Sequence, residues 1–240
     1  MSMSEMLAMK EDQTMNAMGP RILVVEDSAT SRLAIQKSLH GLGCQVQCAE
    51  DGASALAAMH AGQYGMVLLD CYLPDMTGDG VARRVRAMEA AEPERAYTPL
   101  IGISAEANEA RVRLCLDSGM DGILDKPLSL DAIRKLLAVW CDHETDDTIE
   151  DAQTASVADL EKLFGTTSQQ DLQAMRAAHA ASDADAIGRL AHRMKGAALA
   201  MNRPAVVQAL DRIEESVAAG TVQPIVIGLL IAMLARTLEA

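Results

Sequence analysis

Asp70 closes an apolar run, Gly65-Met66-Val67-Leu68-Leu69-Asp70, and other polar residues stand at the ends of similar runs. Ile22-Leu23-Val24-Val25 ends in Glu26-Asp27, Leu100-Ile101-Gly102-Ile103 in Ser104, and Gly122-Ile123-Leu124 in Asp125-Lys126-Pro127. Short apolar runs bounded by turn residues read as strands buried on both faces of a parallel sheet. Their carboxyl ends converge on one rim, so these polar groups are placed together at a mouth. Carboxylates crowded there repel at neutral pH unless a divalent cation joins them. Oxygen-only ligands favour Mg2+, which keeps several waters and shares a phosphate. One carboxylate, Asp70, can instead act as a nucleophile on phosphorus and give an aspartyl phosphate. Lys126 offers a point charge to the phosphoryl oxygens, and the Ser104 hydroxyl a hydrogen bond.

A second centre for phosphorus chemistry lies far along the chain, in Ala191-His192-Arg193-Met194-Lys195-Gly196-Ala197-Ala198. Ile187, Leu190, Ala191, Met194, Ala198 and Met201 follow helical spacing and make one apolar stripe. At about 100° per residue His192 falls roughly 140° from the centre of that stripe, which predicts an imidazole turned to solvent. Gly188 and Gly196 stand one turn before and one turn after it. A glycine inside a helix costs about 1 kcal/mol against alanine, and clearance for an approaching partner surface accounts for a pair flanking one imidazole. Lys195 lies on the same flank, where its charge would neutralise a phosphoryl group on His192. His40, His60, His143 and His179 have no such setting; His179, near the end of the preceding helix, reads as a cap or a filler.

The elements that must position these residues follow from periodicity. From Arg21 strand and helix alternate with short turns, which predicts a parallel sheet with right-handed crossovers. Gln45 to Ala49 is a short, more polar strand suited to an edge, and Leu128 to Trp140 is a closing helix. From about Ala155 strand signals disappear. Helices are predicted over Val157 to Ala181, with Gly165-Thr166-Thr167 bending or breaking it, over Asp183 to Met201, from Pro204 to about Ala219, and from Pro224 onward. Short connections make these an antiparallel four-helix bundle. Between the halves, Asp142 to Asp151 holds six acids and no Lys or Arg, a self-repelling, solvated linker.

Composition narrows the function classes. The chain has 240 residues, enough for two ordinary domains, and 50% of them are hydrophobic with 2% aromatic, so its cores are built from Leu, Ile, Val, Ala and Met. A formal net charge of −13 argues against a nucleic-acid binder. Five cysteines without paired spacing read as reduced thiols of a cytoplasmic protein. Residues 1–19 contain Lys10, Glu11 and Asp12 and make neither a signal peptide nor a membrane span; they read as a poorly ordered arm or helical lead-in. The apolar stretch Ile225 to Ala235 is too short to cross a bilayer and predicts a buried helix, so no membrane insertion is expected.

On these residues, 21–140 resembles a response-regulator receiver domain: the acidic pair Glu26 and Asp27, the acceptor Asp70, the Ser104 hydroxyl and the Lys126-Pro127 dipeptide carry the resemblance. It implies a flavodoxin-like α/β fold with a five-stranded parallel sheet in the order 2-1-3-4-5. It also implies Mg2+ held by Asp27, Asp70 and the backbone carbonyl of Tyr72, with Glu26 acting mostly through water, and a cis bond before Pro127. Receivers that signal by an aromatic rotamer switch carry Tyr or Phe where this chain has Ile123, which fits a receiver that passes phosphate on. The stretch 191–198 resembles the active-site helix of histidine phosphotransfer (HPt) domains, with His-x-x-Lys-Gly met at His192, Lys195 and Gly196.

The resulting division is an arm over 1–19, a receiver over 20–141, an acidic linker over 142–154 and an HPt four-helix bundle over 155–240, similar to the C-terminal module of an unorthodox hybrid sensor kinase. The resemblance implies a two-component phosphorelay. Asp70 accepts a phosphoryl group from a phosphohistidine donor with Mg2+, and His192 relays it to a downstream response regulator. No Gly-rich ATP site or kinase core is visible, so the donor is an upstream sensor histidine kinase. One alternative is a phosphorylation-dependent scaffold whose helical half is not phosphorylated. Another is a Mg2+-dependent phosphatase, which lacks a second acid at Tyr72.

Overall fold

In the computed structural model the described residues are 19–92, 94–143, 145, 157–219 and 224–239. β1 (Arg21–Val25) is buried on both faces because its alternate side chains meet separate cores. Ile22 and Val24 pack with Ile35 and Leu39 of α1 (Ala29–Gly41) and with Ile133 and Leu137 of α5 (Leu130–Trp140). Leu23 and Val25 pack with α2 (Gly52–Ala61), α3 (Gly78–Ala91) and α4 (Glu109–Asp117) through Ala55, Met59, Val81, Val85 and Cys115. β2 (Gln45–Ala49), β3 (Met66–Asp70), β4 (Leu100–Ser104) and β5 (Gly122–Asp125) complete a parallel sheet in the order β2-β1-β3-β4-β5. The polar strand β2 is an edge, as its sequence predicts, because only one side of it has a pairing partner. This is the doubly wound fold expected from alternating strand and helix signals.

Register sets the rim. Asp70 pairs with Ile103, so Ser104 extends one residue beyond it, and Ser104 pairs with Asp125, directly before Lys126. Gly78 opens α3 under the end of β3; a Cβ there would lie 2.3 Å from the Asp70 carbonyl oxygen, a close approach that only glycine permits. The β3–α3 loop is tied down by Asp75, whose carboxylate accepts the N–H groups of Gly52 and Ala53 at 2.8 and 2.9 Å at the start of α2.

The second half is a four-helix bundle: α6 (Val157–Ala180), α7 (Ala184–Ala200), α8 (Pro204–Ala218) and α9 (Pro224–Glu239). Each helix packs on two neighbours, with α6 closing the ring against α9. Met175, Ile187, Ala191, Met194, Leu210, Ile213, Ile231 and Leu234 fill the core. The break expected as one outcome at Gly165 does not occur: α6 runs through it, and the Thr166 and Thr167 hydroxyls donate to the carbonyls of Lys162 and Leu163 at 2.9 Å. α9 is not the wholly buried helix its composition suggests. Ile227, Ile231 and Leu234 face inward, whereas Ile225 and Leu229 are 74% and 62% exposed, because a helix on the perimeter of a bundle has only one inner face.

The bundle docks on the receiver. α6 and α7 pack against α1, where Thr30 and Thr167 hydroxyl oxygens lie 3.4 Å apart. The acidic linker over 142–154 lies outside the described residues except for Asp142, His143 and Thr145, and the arm over 1–19 except for Gly19. His143, idle in the sequence reading, has Nε2 2.9 Å from the carbonyl oxygen of Leu42 at the end of α1. Among the described residues no helix is long and apolar enough to cross a membrane.

Candidate functional site

Glu26, Asp27 and Asp70 come together at the rim as the alignment of strand ends requires, each offering an oxygen within 4.8 Å of the others. Lys126 enters from the end of β5 and places Nζ 2.6 Å from Glu26 and 2.7 Å from Asp70. The Lys126-Pro127 bond is cis. Glu26 also accepts the Ser28 N–H at 3.2 Å and the Ser31 hydroxyl at 3.0 Å, both from the start of α1. Arg32 donates to the carbonyls of Glu26 and Asp27 at 2.6 and 3.3 Å, which holds the acidic turn onto α1.

One ammonium faces three carboxylates here, and the imbalance is visible in their protonation. Burial pushes the Glu26 carboxyl up to about 7 against the pull of Lys126, and burial with the neighbouring Asp70 pushes Asp27 up to about 6. Burial alone would lower Lys126, but the Asp70 and Glu26 carboxylates outweigh it and hold the ammonium above the ordinary lysine range. Asp27 Oδ1 is buried without a hydrogen-bond partner. A donor set of carboxylate oxygens, excess negative charge and an unpartnered buried oxygen fit a hard divalent cation.

Tyr72 and Ser104 complete the receiver side. The Tyr72 N–H donates to Asp70 Oδ1 at 3.1 Å. The Ser104 hydroxyl is engaged locally, accepting the Glu106 N–H at 3.1 Å and donating to the Glu106 carbonyl at 3.0 Å, although it lines the same cleft as Asp27.

His192 lies across that cleft. Its side chain is only 16% exposed, so the imidazole turned away from the bundle core is covered by the receiver and not by solvent. Its ring centroid is 4.4 Å from that of Tyr72, with the planes at 56°. The cleft between the two halves has a volume of about 620 Å3 and is lined by Asp27, Tyr72 and Ser104 on one side and His192, Arg193 and Lys195 on the other. Through Tyr72, which donates to Asp70 and packs on His192, the acidic rim and the imidazole meet at one cleft formed by two parts of one chain.

Two features of this side were absent from the sequence reading. Glu214, on α8, has Oε1 3.0 Å from His192 Nδ1 and accepts Lys195 Nζ through Oε2 at 2.9 Å. Burial would raise its carboxyl, but the His192 and Lys195 contacts outweigh it and hold it below the usual carboxylate range. A carboxylate at Nδ1 fixes the tautomer and leaves Nε2 as the free nitrogen. Arg193 is the second feature: it pairs with Asp171 of α6, and its charge reaches Asp27 of the receiver. Lys195, expected to face a phosphoryl group, is buried and held by Asp211 at 2.5 Å as well as by Glu214.

The two glycines separate. A Cβ at Gly196 would meet Lys126 Nζ at 3.4 Å and Glu26 Oε1 at 3.8 Å, so this glycine does clear space for a partner surface. At Gly188 the nearest atom is Val217 Cγ1 at 3.4 Å, so this one admits α8 of its own bundle.

Residues 22–138 match the family model of the response regulator receiver domain, and residues 159–240 match that of the Hpt domain. The chain belongs to these two families: it is a receiver domain followed by an Hpt domain, the arrangement of hybrid-kinase phosphorelays. It is 26% identical over 225 residues to the sensor protein GacS of Pseudomonas syringae pv. syringae, covering 83% of this chain and 25% of that protein. It is 35% identical over 122 residues to the sensor histidine kinase RcsC of Salmonella typhi, covering 51% of this chain and 12% of that protein. The chain therefore spans a quarter or less of the length of these relatives. Among solved structures, the complex of the Saccharomyces cerevisiae histidine phosphotransfer protein Ypd1 with the receiver domain of its downstream response regulator Ssk1 matches with a TM-score of 0.50 and 23% identity. That match covers 54% of this chain and 94% of the matched chain, and it speaks to the fold. The Hpt match disfavours the alternative in which the helical half is only a scaffold.

Proposed function

We propose that this chain is a cytoplasmic phosphorelay module that takes a phosphoryl group from the phosphohistidine of an upstream sensor histidine kinase and delivers it to a downstream response regulator. Its receiver is taken as 20–141 and its HPt bundle as 155–240, joined through 142–154. The observation that carries the reading is Tyr72, which links the two centres at the cleft between the halves. Tyr72 donates its N–H to the Asp70 carboxylate at 3.1 Å and packs its ring against the His192 imidazole at 4.4 Å.

The Asp70 carboxylate attacks the phosphorus of the donor, forming a P–O bond as the donor P–N bond breaks. Lys126 sits on the Asp70 carboxylate and offers its ammonium to the phosphoryl oxygens. The Ser104 hydroxyl turns from the Glu106 backbone to give a further hydrogen bond. Glu26, Asp27 and Asp70, with the Tyr72 carbonyl that the receiver resemblance adds, would hold Mg2+, whose charge would offset that of the phosphoryl oxygens. In the second step His192 Nε2 attacks, the new P–N bond forms and the P–O bond to Asp70 breaks. The Nδ1 proton stays on the imidazole, where Glu214 offsets the charge that the ring acquires. Arg193 adds a cation beside the acidic pocket while docked. His192 then gives the group to the aspartate of the separate regulator.

The test is labelling with Mg2+ and a phosphorylated kinase core. Wild type is expected to carry alkali-stable phosphohistidine at His192, His192→Gln to carry only an alkali-labile acyl phosphate at Asp70, and Asp70→Asn to carry neither. Label on His192 in Asp70→Asn, from a donor that does not itself dock on the bundle, defeats the proposal.

A further inference from the structure

Arg111 stands on the first turn of α4, with its backbone N–H donated to the N-cap Asn108 side chain at 2.9 Å. Its guanidinium carbon lies 4.3 Å from the centroid of the Tyr72 ring, and that ring lies 4.4 Å from the His192 imidazole. Among the described residues the side-chain contact of Arg111 is the Tyr72 ring, and no carboxylate pairs with it, although Glu106 and Glu109 are close in sequence. A cation placed over an aromatic face gains from the ring quadrupole, and an arginine also stacks its plane on it.

The Tyr72 backbone is anchored to Asp70 through its N–H, but its side chain is 40% exposed and its hydroxyl makes no hydrogen bond among the described residues. Such a ring keeps its rotamer freedom unless something clamps it. We propose that Arg111 is a positioning residue for phosphoryl exchange between Asp70 and His192: it fixes the ring of Tyr72, and the fixed ring holds the imidazole in line with the acceptor. Arg111 touches no reacting atom. Its contribution is orientation, which transfer between two held groups rewards strongly. The inference rests on the phosphorelay reading, and it assigns a receiver residue outside the acidic pocket to recognition of the imidazole.

The experiment uses the full chain, labelled at Asp70 with acetyl phosphate and Mg2+, and follows the rate at which alkali-stable label appears on His192. Arg111→Ala is expected to slow that step about fivefold, the scale of an exposed cation–π contact. Arg111→Lys, which keeps a cation, restores part of the rate. Labelling of Asp70 by acetyl phosphate, read in a His192→Gln background, is unchanged by Arg111→Ala. In a Tyr72→Ala background the further change Arg111→Ala has no effect, because the ring through which it acts is gone. An Arg111→Ala chain that passes label at the wild-type rate overturns the clamp alone. So does a loss that persists undiminished without Tyr72, or an equal loss of acetyl phosphate labelling. A wild-type chain that passes no label overturns the phosphorelay reading and the clamp with it.

Discussion

Glu214 shows how one carboxylate can serve two nitrogen groups at once. It accepts from Lys195 and faces His192 Nδ1, and both contacts outweigh burial to keep its proton off below the ordinary 4.5. With the folded value below the unfolded one, the unfolded chain binds more protons across that window, so stability rises with pH through it. The contribution is full above about pH 4.5 and is lost as pH falls through the lowered value. Glu214→Gln should therefore cost about 1–2 kcal/mol near neutrality, with the difference from wild type shrinking toward zero in acid. Urea melts of both proteins across that range measure it, and a gap that does not change with pH contradicts the argument. None of this was legible in the sequence. The motif at His192, Lys195 and Gly196 lies on one helix, where spacing reads directly. Glu214 comes from the next helix, and which α8 residue meets the imidazole depends on packing that no local pattern encodes.

At the scale of elements, strand ends were legible because a buried parallel strand has a sharp boundary in composition. Glu26, Asp27, Asp70, Ser104 and Lys126 all stand on the rim for that reason, although Ser104 turns its hydroxyl to the Glu106 backbone. Helix faces were less legible. α9 has apolar residues all round yet buries one side, and Gly165 leaves α6 unbroken. The two glycines of α7 looked alike in sequence and are not. Around Gly196 the nearest atoms belong to Lys126, Glu26 and Ser28 of the receiver, while around Gly188 the nearest is Val217 of α8. Gly196→Leu should thus gain up to about 1 kcal/mol of helix propensity in the bundle while slowing transfer from Asp70 at least tenfold by blocking the approach. Gly188→Leu should instead overpack the α7–α8 seam and cost about 1–3 kcal/mol. Melting and label transfer, measured on both variants, separate the two cases. If Gly196→Leu destabilises the bundle and transfers normally, the assignment of that glycine to the domain interface is wrong.

For the whole molecule, the docked arrangement carries a constraint that neither half has alone. Asp70 is fully buried, and the His192 side chain, 16% exposed, lies against Tyr72 of the receiver. In the proposed relay, tethering at an effective concentration on the order of millimolar would favour exchange within one chain. The same contact bars an upstream phosphohistidine from the rim and a downstream aspartate from His192. In the proposed relay, docking and exchange with outside partners would therefore exclude each other, and the chain would open to load and to deliver. Thr30 on α1 and Thr167 on α6 offer a lock, since their hydroxyl oxygens lie 3.4 Å apart across the interface. A chain carrying Thr30→Cys and Thr167→Cys places two thiols within reach of a disulfide. Oxidised after loading at Asp70, it should still move label to His192 but fail to pass it to a receiver in solution, and reduction should restore delivery. Delivery at an undiminished rate by the oxidised chain would mean that the imidazole is reached with the bundle still docked, and the opening step would have no place in the relay.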